Sequence, residues 1–104
     1  MQRIIEGKCY DTTKATAVAS YCCSQKGEPD YCEETLYRTK SGRYFLHGKG
    51  GAECEWGWPP MYNISGDGEG IAAMEPEDAT DWLECRGKGI PEGCPEIEAL
   101  VTEA

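Results

Sequence analysis

Between residues 35 and 51 the chain reads TLYRTKSGRYFLHGKGG, the clearest alternation of apolar and polar positions it contains. Two β-prone runs, 35–39 and 43–47, flank Ser41 and Gly42, and a two-residue loop ending in glycine suits a hairpin turn. With that loop, Lys40 would oppose Arg43, Thr39 Tyr44, Arg38 Phe45, and Tyr37 Leu46. Side chains alternate across a strand, so the hairpin would have two unlike faces. One would carry Tyr37, Thr39, Tyr44 and Leu46 and pack on a helix. The other would carry Leu36 and Phe45 among Arg38, Lys40, Arg43 and His47. The glycines of 48–51 read as a strand exit that needs positive φ.

The remaining pattern is shorter-range. Residues 3–10 form two short runs about Glu6-Gly7, either a small hairpin or one bent strand. Asp11 or Thr12 offers an N-cap for a helix over 13–23, with Val18, Tyr21 and Cys22 at i, i+3 and i+4. Thr and Val weaken that helix. Residues 24–30, with Gly27 and Pro29, read as a loop. The stretch 52–70 holds two Trp, two Pro and four Gly in nineteen residues, too broken for a long regular element. Residues 70–74 (GIAAM) predict a short strand.

The sharpest helix start is Glu75-Pro76-Glu77-Asp78, where proline suits the first turn and the acids complement the dipole. Ala79, Trp82 and Leu83, with Cys85 or Arg86, give its buried stripe, and Gly87 and Gly89 end it. Pro95-Glu96 opens a last short helix with Ile97, Leu100 and Val101 on one side. The expected fold is a single α+β domain over residues 1–104. It has a small antiparallel sheet, its central hairpin at about residues 35–48, covered on one face by two or three short helices.

Charge changes the picture more than composition does. The net charge is −9, and it is unevenly spread. Residues 1–52 hold eight Lys/Arg against six Asp/Glu, whereas residues 53–104 hold two against thirteen. A general nucleic-acid binder is basic, because phosphate contacts supply its affinity. An acidic surface attracts basic protein surfaces instead. No run approaches the ~20 apolar residues of a membrane span. The opening MQRIIEGK lacks the apolar core of a signal peptide, so a cytoplasmic location is expected.

Seven cysteines accompany a single histidine, His47, and no C-x-x-C spacing occurs. Paired ligands two to four residues apart are usual in structural zinc sites. The spacing leaves open a site from Cys22 or Cys23 with Cys9, Cys32 or Cys54, and small buried thiols are the commoner use. Cys54 and His47 are the nearest approach to a nucleophile–base pair, and nothing else in the order suggests catalysis. Neither cofactor nor enzymatic activity is expected.

Three stretches resemble a family of small, mostly uncharacterised proteins encoded by phages, plasmids and integrative elements of gram-positive bacteria. They are Gly7, Lys8, Tyr10, Asp11, Thr12 and Ala15; residues 33–51; and the strand and acid-rich helix around Trp82 in residues 71–84. The Trp/Pro segment 55–62 and the cysteines depart from that family's pattern. The resemblance implies a mobile-element setting in a bacterial host. Genes of that kind often encode inhibitors of host defence, such as anti-CRISPR proteins, which bind rather than catalyse.

Three candidate surfaces follow. An acidic surface of Glu77, Asp78, Asp81 and Glu84 would bind a protein partner, a CRISPR effector or another host nuclease, by mimicking nucleic acid. The hairpin face of Arg38, Lys40, Arg43, Phe45 and His47 would be the contact of a nucleic-acid accessory protein. Trp56 and Trp58 would be contact anchors if they face outward.

Overall fold

The computed structural model describes residues 1–23, 31–50 and 68–102. The segments containing Trp56, Trp58 and Cys54 lie outside the described residues.

The chain opens with a hairpin, β1 (Gln2–Ile5) and β2 (Lys8–Asp11). Glu6 and Gly7, at φ of 51° and 78°, form the two-residue turn between paired Ile5 and Lys8. Positive φ at both central positions gives the turn a twist that matches its strands. Asp11 then accepts hydrogen bonds from the Thr13 backbone amide (2.9 Å) and hydroxyl (2.7 Å). The amides of Lys14 and Ala15 donate to its carbonyl.

That cap starts a single turn, not the helix expected over 13–23. β3 (Thr16–Cys23) follows instead. The reason is a bulge. Ala17 pairs with Tyr37 and Ala19 with Leu36, so Val18 is an extra residue. The insertion places Val18, Ala19 and Tyr21 against one cluster. A bulge shifts the period-2 pattern by one residue, which imitates helical i, i+3 spacing. The β-branched Thr16 and Val18 accordingly sit in the conformation they prefer.

β4 (Cys32–Arg38) and β5 (Tyr44–Gly50) form the central hairpin, and β6 (Gly68–Met74) completes an antiparallel sheet in the order β3-β4-β5-β6. The hairpin is present, but its register is one residue away from expectation. Arg38 pairs with Tyr44, Tyr37 with Phe45, and Leu36 with Leu46. The loop has three residues. The Gly42 amide donates to the Thr39 carbonyl (3.0 Å), the Thr39 amide donates to the Arg43 carbonyl (2.8 Å), and Gly42 sits at φ 86°. This is a turn closed by a left-handed glycine. The slip of one residue reverses which side chains share a face. A further correction concerns Gly48 and Gly50, which lie inside β5 and are absent from the positive-φ glycines.

The sheet is covered on both sides. On one, α1 (Pro76–Cys85) and α2 (Pro95–Glu98) pack over Leu36, Tyr44 and Leu46 through Ala79, Trp82, Leu83 and Ile97. On the other, the β1–β2 hairpin brings Tyr10 onto Phe45 and Ile71. The Phe45 ring stacks on Tyr37 at 5.0 Å and meets Tyr10 edge-on at 5.5 Å. Two helices are present among the described residues, and the α+β class stands.

α1 begins and ends where its sequence signals lie. Glu75 is the N-cap and Pro76 the first residue, and Asp78 Oδ2 accepts from the Glu75 amide. Gly87 at φ 68° closes it, with the Lys88 amide donating to the Leu83 carbonyl (2.8 Å) and the Gly87 amide to that of Glu84 (3.1 Å). Those two bonds are a Schellman ending.

One polar connection ties α1 to the sheet. Glu34 of β4 is fully buried. Its Oε1 accepts from Trp82 Nε1 (3.0 Å) and from an Arg86 terminal nitrogen (2.8 Å). The Arg86 guanidinium lies 4.5 Å from the Tyr21 ring centre and 5.8 Å from that of Trp82. The charge-assisted bond to Glu34 raises the Arg86 pKa. A carboxylate out of water is tolerated only with donors of this kind.

Two outcomes follow for stability. Glu34→Ala leaves Arg86 and the Trp82 indole without their acceptor, and the expected loss is about 3–5 kcal/mol in urea denaturation. A loss below about 1 kcal/mol would show the tie to be incidental. Gly42→Ala should cost at least about 1–2 kcal/mol from the left-handed conformation. The new Cβ would also lie 2.9 Å from Glu96 Oε2.

Candidate functional site

The structure breaks up the expected basic hairpin face. Arg38 projects to the helix side, where Nε and a terminal nitrogen hold both oxygens of Glu96 at 3.0 and 2.8 Å. The Tyr44 hydroxyl donates to the same carboxylate at 2.8 Å. Phe45 is fully buried on the opposite side. His47 Nε2 lies 2.8 Å from Glu69 Oε2. Lys40 and Arg43 are exposed at the turn. Of the five residues expected to share one cationic face, one is a core side chain and two are engaged with carboxylates. The cause is the register slip, which sends Arg38 and Phe45 to opposite faces.

Sequence reasoning missed both carboxylates at the centre of these contacts. Glu34 alternates with Cys32 and Leu36 in one strand, and that period-2 position was the available signal. Glu96 read only as a helix-start acid beside Pro95. Donors from Arg38 and then Tyr44 pull its pKa down from 4.5 to about 2. The hydrogen bond to Glu96 in turn raises the Arg38 pKa, and burial first, then hydrogen bonds with Cys94 and Glu96, raise that of Tyr44.

The acidic residues are arranged differently. Glu77, Asp78, Asp81 and Glu84 are all exposed on α1, and the helix contains no Lys or Arg. Buried Ala79, Trp82 and Leu83 set its inner side. Successive residues turn by ~100°, so Glu77, Asp81 and Glu84 fall together on the outer ridge. Asp78 lies to one side, committed to the N-cap. Among the described residues none of the four forms an ion pair.

Glu77 suits the positive end of the helix, but Glu84 is in the last turn, at the negative end. Acids at 77, 81 and 84 also stand one turn apart and repel. The ridge therefore lowers the stability of the helix that carries it.

Concave features flank these elements. An open groove of about 740 Å³ separates the β1–β2 hairpin from the β4–β5 turn. Arg3, Lys8 and Arg43 line it together with Glu6, Glu75 and Asp78, so neither sign prevails. A smaller groove of about 210 Å³ runs beside α1, between Leu83 and Val101.

Among the described residues no three His, Cys, Asp or Glu side chains come together in a way that holds a metal ion. Cys9 and Cys22 are exposed and Cys32 is buried. No described helix is long and apolar enough to cross a membrane. The chain matches no protein-family model, no curated protein and no solved structure.

The Arg38–Glu96 contact makes stability depend on acid. The Glu96 pKa lies below its ordinary value, so its contribution is complete above pH 4.5 and is lost as pH falls toward 2. The Tm gap between the unmodified chain and Glu96→Gln should therefore be widest near neutral pH and close over that window. A gap unchanged from pH 6 to about pH 2.5 would contradict this assignment.

Proposed function

We propose that this protein is a non-catalytic binding module whose α1 ridge docks onto a basic protein surface. In the mobile-element setting that the sequence resembles, the target is a host nuclease or CRISPR effector, and the acids occupy its nucleic-acid site. The observation that carries this reading is the uncompensated ridge of Glu77, Asp81 and Glu84, with Glu84 at the helix end that disfavours it. Residues that lower local stability without a compensating internal contact are expected at functional surfaces. A helix fixed on a sheet by Glu34 and Arg86 presents its charges in one orientation, which reduces the ordering cost of binding. The nucleic-acid reading is weakened because Arg38 is held by Glu96 and Phe45 is buried.

The test pairs binding with stability. Affinity capture from host lysate with the unmodified chain should retain one basic, nucleic-acid-handling protein, identified by mass spectrometry. A Glu77→Gln, Asp81→Asn, Glu84→Gln variant should bind it roughly tenfold more weakly, at about 0.5 kcal/mol per rim pair, and added salt should mimic the effect. The same variant should melt slightly higher than the unmodified chain, because the neutral helix loses its internal repulsion. Unchanged capture by the variant would overturn the proposal.

A further inference from the structure

The groove beside α1 has a composition that the acidic ridge alone does not explain. Its floor is Leu83 and Ile97, both buried, and its walls include Ile90 and Val101, 46% and 40% exposed. Thr80 and Glu84 of α1 form the near rim. Glu84 therefore belongs to the groove and to the ridge at once, making the two a single surface. Lys88 lines the far end.

At about 210 Å³ the groove is below the ~300–1,000 Å³ range of small-molecule sites. An apolar cavity of ~150 Å³ accommodates a benzene ring, so this one suits a single large apolar side chain. Ile90 and Val101 leave apolar walls in water beside a charged rim, a recess shaped for an apolar group.

We propose that the groove receives one apolar anchor from a basic amphipathic helix of the partner, whose cations lie along Glu84, Asp81 and Glu77. This rests on the acidic-ridge reading and adds the partner's chemistry to it. Charge selects the occupant. The acids repeat about one helical turn apart and span ~10.5 Å from Glu77 to Glu84, the spacing of Lys or Arg at i, i+4 and i+7 on a facing helix. A second copy would set Glu84 against an equally acidic surface on a chain of net charge −9, so self-association is disfavoured. Lys88 gives the partner a direction. Its cationic turns lie toward the start of α1, and the anchor enters between Leu83 and Val101.

Two labelled sixteen-residue peptides of identical Lys and Leu content test this by fluorescence anisotropy with the full chain. One has all its Leu on one helix face, and the other has them spread around the helix. The unmodified chain should bind the first about tenfold more tightly. Ile90→Ser with Val101→Ser should abolish that preference while leaving weaker, salt-sensitive binding of both peptides. Both positions are substantially exposed, and Val101→Glu alone provides a second variant; thermal melts establish that each folds. A preference that survives these changes overturns the groove proposal and leaves the ridge reading intact. If neutralising Glu77, Asp81 and Glu84 also leaves binding unchanged, both readings fall. A concentration-dependent dimer in sedimentation, lost in the Val101 variant, would assign the groove to a second copy and overturn the proposal as well.

Discussion

The Glu34 carboxylate is the constraint on which the arrangement of this protein depends. It lies in the interior between sheet and helix, where an ionised group is costly unless donors surround it. Trp82 and Arg86, one helical turn apart, supply those donors, and both come from the end of α1. Across the sheet the same row contains Tyr21, Glu34, Gly48 and Gly70. Tyr21 takes the Arg86 guanidinium on its ring face, and the two glycines place no side chain on the helix side. Apolar packing of Ala79, Trp82 and Leu83 would hold α1 against the sheet in any case. The directional bonds to Glu34 reinforce the rotation about its own axis that this apolar stripe sets. That rotation decides that Glu77, Asp81 and Glu84 face outward.

Much of this was legible wherever the local signal and the tertiary requirement agree. The α1 boundaries follow from Glu75-Pro76 and Gly87, because capping chemistry acts within a turn of the backbone. The central hairpin is visible in its alternation. Its register is not, because residues 39–43 suit a two-residue and a three-residue loop alike, and the difference inverts both faces. The strand Thr16–Cys23 was hidden by the bulge at Val18, which converts a strand pattern into a helical one. Asp11 reinforced the error by capping a turn that goes no further.

The candidate site divides in the same way. The acids of α1 are exposed as their helical spacing requires. The basic face of the hairpin was an artefact of the wrong register. Arg38 and Glu96, separated by 58 residues, meet only because α2 folds back over the β4–β5 turn. Pairings at that separation leave no trace in local pattern, which is also why Glu34 and Arg86 were missed as partners.

Whether the outer side of α1 is the contact surface is tested directly by an amide-resolved map. An isotopically labelled sample, titrated with the protein that the unmodified chain retains, should show its largest shift changes along the outer side of α1 and around Ile90 and Val101. The two-sided sheet and the β1–β2 hairpin should change little. The largest changes at Lys40 and Arg43 on the β4–β5 turn, with α1 silent, would contradict the account.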